Sequence, residues 1–204
     1  MEKNFELTDE TIEVDGKTLH RIRCTRDCKW ANAGDLGGFI EKEDNLSDNA
    51  WVSENAQVYG NARVYGNARV YENAQVYGNA WVYGNARVAG NARVAGNAWV
   101  YGNARVYGNA RVAGNAWVYG NARVYGNARV AGNDDHCGFD VFGSIGRHTH
   151  AYRTSDGGVE ITCGCFHGDI EAFEAKVRHT HGDSQYAREY LAIAHVIRVK
   201  FGLA

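Results

Sequence analysis

The 204-residue sequence has no proline and a single methionine, so its chain reversals have to be made by Gly, Asn, Asp or Ser. No apolar run approaches the ~20 residues of a membrane-spanning helix. The acidic start Met1-Glu-Lys-Asn-Phe-Glu6 does not read as a secretory signal. A protein of the cytoplasm without membrane contact is therefore expected. Between Asn55 and Asn133 there is no His, Cys, Ser or Asp, which removes the usual nucleophiles and bases from the middle of the chain. The composition, 45% hydrophobic and 23% charged, is that of a soluble globular chain of one or two domains.

What fills the middle is one six-residue phrase, Asn-Ala-Arg-Val-Tyr-Gly with small variations, free of insertion or deletion. Ile40 and Leu46 are followed by a Val at every sixth position from Val52 to Val130, giving 16 consecutive hexads. Self-similarity at a short fixed period is the mark of a solenoid. In a strand Ala-Arg-Val-Tyr, Ala and Val fall on one side, Arg and Tyr on the other. The Gly-Asn pair makes the corner, Gly because it takes positive φ freely and Asn because it tolerates the left-handed region.

The pattern Val-x-x-x-Ala-x resembles the hexapeptide repeat of left-handed parallel β-helices, in which three hexads make one coil. The resemblance implies a left-handed parallel β-helix of about five coils over 40–133; with the flanking segments read as an N-terminal cap over 1–39 and a small C-terminal α+β domain over 134–204, the expected fold is mainly β. The best-known relatives by repeat are acyltransferases, whose pattern uses a His and commonly a loop extruded from a coil. Here no loop breaks the run and no His lies in it, so that activity does not carry over with the fold.

Three hexads per coil place positions 18 apart on one face, about 4.8 Å from each other. One face then carries the column Trp81, Trp99 and Trp117 beside Tyr65, Tyr83, Tyr101 and Tyr119. A second carries Arg69, Arg87, Arg105 and Arg123 beside Tyr71, Ala89, Tyr107 and Tyr125. The third carries Gln57, Gln75, Arg93, Arg111 and Arg129 beside Tyr59, Tyr77, Ala95, Ala113 and Ala131. Tryptophan is expected on one face only.

An aromatic face of this size marks an association surface. It suits a closed homo-oligomer, dimer or trimer, or a stacking platform for bases or sugars. From Asn55 to Asn133 eight Arg stand against one acidic residue, Glu72. Stacked like charges repel, so the Arg columns either splay into water, lie on neighbouring Tyr, or meet an anionic partner such as a nucleotide, nucleic acid or acidic protein. In the last case, replacing Arg87, Arg105 and Arg123 with Glu abolishes binding.

At the amino end, Asp15-Gly16 between alternating segments reads as a hairpin, and 34–40 leads into the first coil. Such a lid is expected on an open solenoid end. Cys24 and Cys28 on it are a zinc pair or reduced structural thiols. After Asn133, 139–146, 148–154 and 159–166 read as three antiparallel strands. Two helices follow, the first capped by Asp169 with Ile170, Phe173 and Val177 inward, the second with Tyr190, Leu191, Ala194 and Ile197 inward. The run Gly164-Cys-Phe-x-Gly with a later His181-Gly-Asp and Tyr190-Leu resembles a tail found on phage and prophage repeat proteins, which implies context rather than chemistry.

The tail holds the only dense set of reactive side chains: His136, Cys137, His148, His150, Cys163, Cys165, His167, His179 and His181. On strands, His148 and His150 share a face, as do Cys163 and Cys165, so the four could present soft ligands to one zinc; the alternative is half-buried thiols with solvated imidazoles. The expected function is a non-enzymatic oligomeric binding or scaffold protein, of phage or prophage type and so in the host cytoplasm. It would present Arg and Trp/Tyr ladders to an anionic ligand, nucleic acid or host protein, with interference in a host defence as one outcome. The competing expectation is an acyltransferase-like or metal-dependent enzyme with its site in the tail or at a subunit junction.

Overall fold

The Asp15-Gly16 turn forms as its residue types dictate. In the computed structural model, which describes residues 3–203, β1 (Phe5–Val14) and β2 (Lys17–Cys24) pair antiparallel across it. Asp15 and Gly16 have φ of 51° and 73°, the left-handed pair that a two-residue hairpin needs. β3 (Leu36–Ile40) pairs antiparallel with β2 and, on its other edge, parallel with Gln57–Val58. The hairpin is thus spliced into one face of the repeat region.

From there the chain makes 14 two-residue strands, β4 (Trp51–Val52) to β17 (Arg129–Val130), one at each valine. They stack parallel, with Val70, Val88 and Val106 in register, so each coil takes 18 residues and three sheets surround one core. This is a β-solenoid of about five turns. Each coil hydrogen-bonds to the next: Arg87, Ala89 and Asn91 donate to the carbonyls of Ala104, Val106 and Gly108 at 2.9, 3.0 and 2.8 Å. Val100, Val106, Ala98 and Ala104 are fully buried, as the inward Ala/Val alternation requires.

The corners differ from expectation in one respect. Only the glycine position is left-handed: Gly90 has φ 72°, and a Cβ there would lie 2.8 Å from the Gly108 nitrogen. None of the asparagines has positive φ. Their side chains instead form ladders up the edges, Asn73 to Asn91 to Asn109 to Asn127, each Nδ2 donating to the next Oδ1 at 3.2–3.4 Å. Amide stacking, rather than tolerance of the left-handed region, accounts for Asn here. Asp48 and Glu72 occupy the glycine position with φ of 58° and 60°. Their carboxylates accept the backbone N–H of Gly66 and Gly90 at 3.0 and 2.5 Å.

Both ends of the core are covered. Phe5, Ile22 and Cys24 join the core at the first coil, and Tyr152 joins it at the last. The tail forms a four-stranded antiparallel sheet, β18 (His136–Phe142), β19 (Arg147–Arg153), β20 (Val159–Cys163) and β21 (Phe166–Gly168). Three strands were expected; Gly164, with φ 62°, turns the chain and divides the third. One side of this sheet meets the solenoid. The other packs on α1 (Ile170–His181) and α2 (Gln185–Phe201). Asp169 caps α1 as expected, accepting the Ala172 N–H at 2.8 Å. Neither helix is long and apolar enough to cross a membrane.

Candidate functional site

The seven candidate arginines fall into two sets. On the face of Val70, Val88, Val106 and Val124, Trp30 from the cap lies 5.6 Å from the Arg69 guanidinium and 5.8 Å from that of Arg87, and Arg69 also lies over Tyr71. Arg123 donates to the Gly164 carbonyl at 2.8 Å, tying the tail down. Tyr71 and Tyr107 meet hydroxyl to hydroxyl at 3.0 Å across the gap left by Ala89. Arg105 alone in this column has no partner among the described residues. Three of the four are therefore committed to structure.

On the face of Val58, Val76, Val94, Val112 and Val130 the cap covers only the lower rungs. Tyr59 donates to Asp15 at 2.9 Å, and Leu19 packs against Tyr59 and Tyr77; Gln75 donates to Gln57 at 2.9 Å. Above them Arg93, Arg111 and Arg129 stand in register, exposed, beside small Ala95, Ala113 and Ala131. None of the three makes a hydrogen bond, ion pair or ring contact among the described residues. Exposed unit charges one strand spacing apart repel by on the order of 1 kcal/mol in water. An anion laid along the column relieves that repulsion.

The aromatic face is a ladder of stacked rings. Trp81, Trp99 and Trp117 stack at 5.3 and 5.4 Å; Tyr65, Tyr83, Tyr101 and Tyr119 at 4.8, 4.9 and 5.4 Å. Each ring covers the face of the next, so lower rungs are half-buried and show mostly edges. The last rung is more open, Trp117 at 44% and Tyr119 at 54% exposure. Tryptophan is not confined to this face: Trp51 pairs with Arg69 on the arginine face and is buried, because the first coil there lies under the cap.

Above that last rung is a cavity of about 410 Å³ lined by Trp117, Tyr119, His136, Asp140, His148 and His150 among others. β18 and β19 place the imidazoles, with His136 opposite Tyr152 and Gly138 opposite His150. A Cβ at Gly138 would lie 2.8 Å from His148 Cε1, so glycine makes room for that ring. His150 Nδ1 is 3.1 Å from the Arg123 carbonyl, and its Nε2 is 3.0 Å from His136 Nδ1. A carbonyl only accepts, so His150 carries its proton on Nδ1 and His136 must donate from Nδ1. His148 Nδ1 meets the Asp140 carboxylate at 2.7 Å. In the neutral rings, His136 and His148 then each hold a bare Nε2, and both atoms are buried without a partner. Burial, with His136 adding to it, lowers the His150 pKa to about 3; burial and then Lys200 lower that of His136.

The four residues expected to share a zinc are not together. Cys163 pairs with Thr149, one residue out of phase with His148 and His150, so it lies on the helix side of the sheet, where the Thr149 hydroxyl donates to it at 3.3 Å. Cys165 is exposed on the turn that divides the expected strand. Among the described residues no three His, Cys, Asp or Glu converge as metal ligands. Cys24 and Cys28 are free thiols, and Cys24 donates to the Arg26 carbonyl at 3.0 Å. The pairing of His136 and Asp140 with the predicted histidines was missed. Its one sequence signal is Gly138, since a glycine inside a strand marks a close approach.

The fold and the stacked register define the class: a repeat β-helix protein. The family described as the YdcK beta solenoid repeat matches residues 56–72, 74–89, 80–94, 86–102, 104–120 and 122–133, so the chain is similar to that family over its solenoid. No curated protein matches the chain.

Proposed function

We propose that the chain is a non-enzymatic binding scaffold that holds a linear polyanion, such as a nucleic acid strand, along Arg93, Arg111 and Arg129. The observation that carries this reading is the contrast between the two arginine columns. One is tied into Trp30, Tyr71 and Gly164; the other keeps three stacked guanidiniums exposed with no ion-pair or hydrogen-bond partner among the described residues. Guanidiniums suit phosphate because their forked donors bind two oxygens at once. A rigid prism fixes their spacing before binding, which lowers the ordering cost.

The test is fluorescence anisotropy with a labelled single-stranded oligonucleotide. The triple change Arg93→Glu, Arg111→Glu and Arg129→Glu should abolish binding, whereas Arg87→Gln, on the Trp30 face, should leave it nearly unchanged. Equal loss from both would place the contact elsewhere, and binding unaffected by the triple change would end the proposal.

A further inference from the structure

The cavity at the top of the aromatic ladder stands where another rung would stand if the solenoid continued. The strand at Val118 has a neighbour only on the Val100 side, and the Trp117 N–H, with no further coil to bond, is taken by the Asn133 side chain at 2.9 Å. The outer faces of Trp117 and Tyr119 therefore have no ring above them. On the opposite wall His136 and His148 each hold a side-chain nitrogen, Nε2, that is buried without a partner among the described residues. His136 is 8% exposed. A buried acceptor left unmet costs on the order of 1–3 kcal/mol, so the pocket is built around two unpaid hydrogen bonds.

We propose that this cavity binds an amino-bearing heteroaromatic ring, of the class of adenine, cytosine or guanine, as an added rung of the ladder. The ring lies on Trp117 and Tyr119, as each ladder ring lies on the one below, and its exocyclic N–H group donates to the bare Nε2 of His148 or His136. The tautomers are fixed from behind: the Arg123 carbonyl sets His150, His150 sets His136, and Asp140 sets His148. The wall is thus a preorganised pair of acceptors that selects a donor. A guanidinium also donates, but it covers less of the open Trp117 and Tyr119 faces than a heteroaromatic ring does. The cavity lies within the roughly 300–1,000 Å³ usual for small-molecule sites. This site is separate from the Arg93, Arg111 and Arg129 column and does not rest on it.

Isothermal calorimetry of the full chain with adenosine, cytidine and guanosine tests the proposal, with purine riboside as the ring lacking the amino group. At least one amino-bearing nucleoside should bind at one site per chain. Purine riboside should bind about tenfold more weakly than adenosine, the ~1.4 kcal/mol of one hydrogen bond. Trp117→Ala should abolish binding, and Tyr119→Ala, at the more exposed ring, should weaken it with the thermal melt unchanged. The ligand comparison needs no variant, so misfolding cannot mimic it. Absence of saturable binding by all three nucleosides, equal binding of purine riboside, or tighter binding of methylguanidine would overturn the proposal.

Discussion

Acidification should weaken the junction between tail and solenoid through His150, and the size of the effect follows from its surroundings. His150 is 1% exposed, its Nδ1 donates to the Arg123 carbonyl, and its Nε2 accepts from His136. Protonating it would aim an N–H at a donor and bury a charge. Its pKa accordingly falls from 6.5 to about 3. The unfolded chain takes up this proton below about pH 6.5 while the folded chain does not, so stability is lost as pH falls from there towards 3. Well below pH 6.5 each pH unit costs about 1.4 kcal/mol, and the loss between about pH 6.5 and pH 4.5 is ~2 kcal/mol. His136, shifted in the same direction, adds to the loss. Urea unfolding at a series of pH values, compared with His150→Gln, measures the contribution as the difference in slope. In parallel, the His150 Cε1 proton resonance should not titrate between pH 7.5 and 5. A His150 resonance titrating near pH 6.5, or identical slopes for the two proteins, would refute the reasoning.

Three further outcomes follow from the packing. Val100→Asp puts a charge at a fully buried mid-stack position and should cost at least about 4 kcal/mol, read as a collapse of the circular-dichroism melt; an unchanged melt would show the register to be wrong. Gly114 and Gly120 have similar φ, 58° and 64°, but a Cβ at Gly114 would meet the Ala131 carbonyl while one at Gly120 meets nothing within 4 Å. Gly120→Ala should therefore cost only the ~1–2 kcal/mol of left-handed strain, and Gly114→Ala clearly more, in paired thermal melts. Cys165 is exposed, whereas Cys163 is buried and burial pushes the Cys137 thiol up to about 11. Iodoacetamide labelling followed by peptide mass spectrometry should therefore modify Cys165 well before either.

The solenoid was legible because its signal is periodic: Val at every sixth place fixes the inward side, and the 18-residue sorting of Trp and Arg fixes three strands per coil. What was not legible lay where the repeat meets something unlike itself. Arg69 and Arg93 sit in equivalent hexads, yet Trp30, remote in sequence, covers one and leaves the other open. Trp51 broke the pattern for the same reason, a cap folded over the first coil. In the tail, the strand read through Cys165 ends at Cys163, because Gly164 starts a hairpin that alternation alone cannot distinguish from continued strand. That turn, together with the one-residue phase between Thr149 and His150, separates the cysteines from the histidines. It leaves His136 and Asp140 as the histidines' partners.

The most direct measurement of polyanion binding is its dependence on salt. For each phosphate neutralised on a single strand, the slope of log affinity against log salt concentration is about −0.7. A strand lying on Arg93, Arg111 and Arg129 therefore gives these three residues a share of about −2, which the triple Glu variant should remove and Arg87→Gln should not. A slope unchanged by the triple variant, with binding retained, would contradict the assignment of that face.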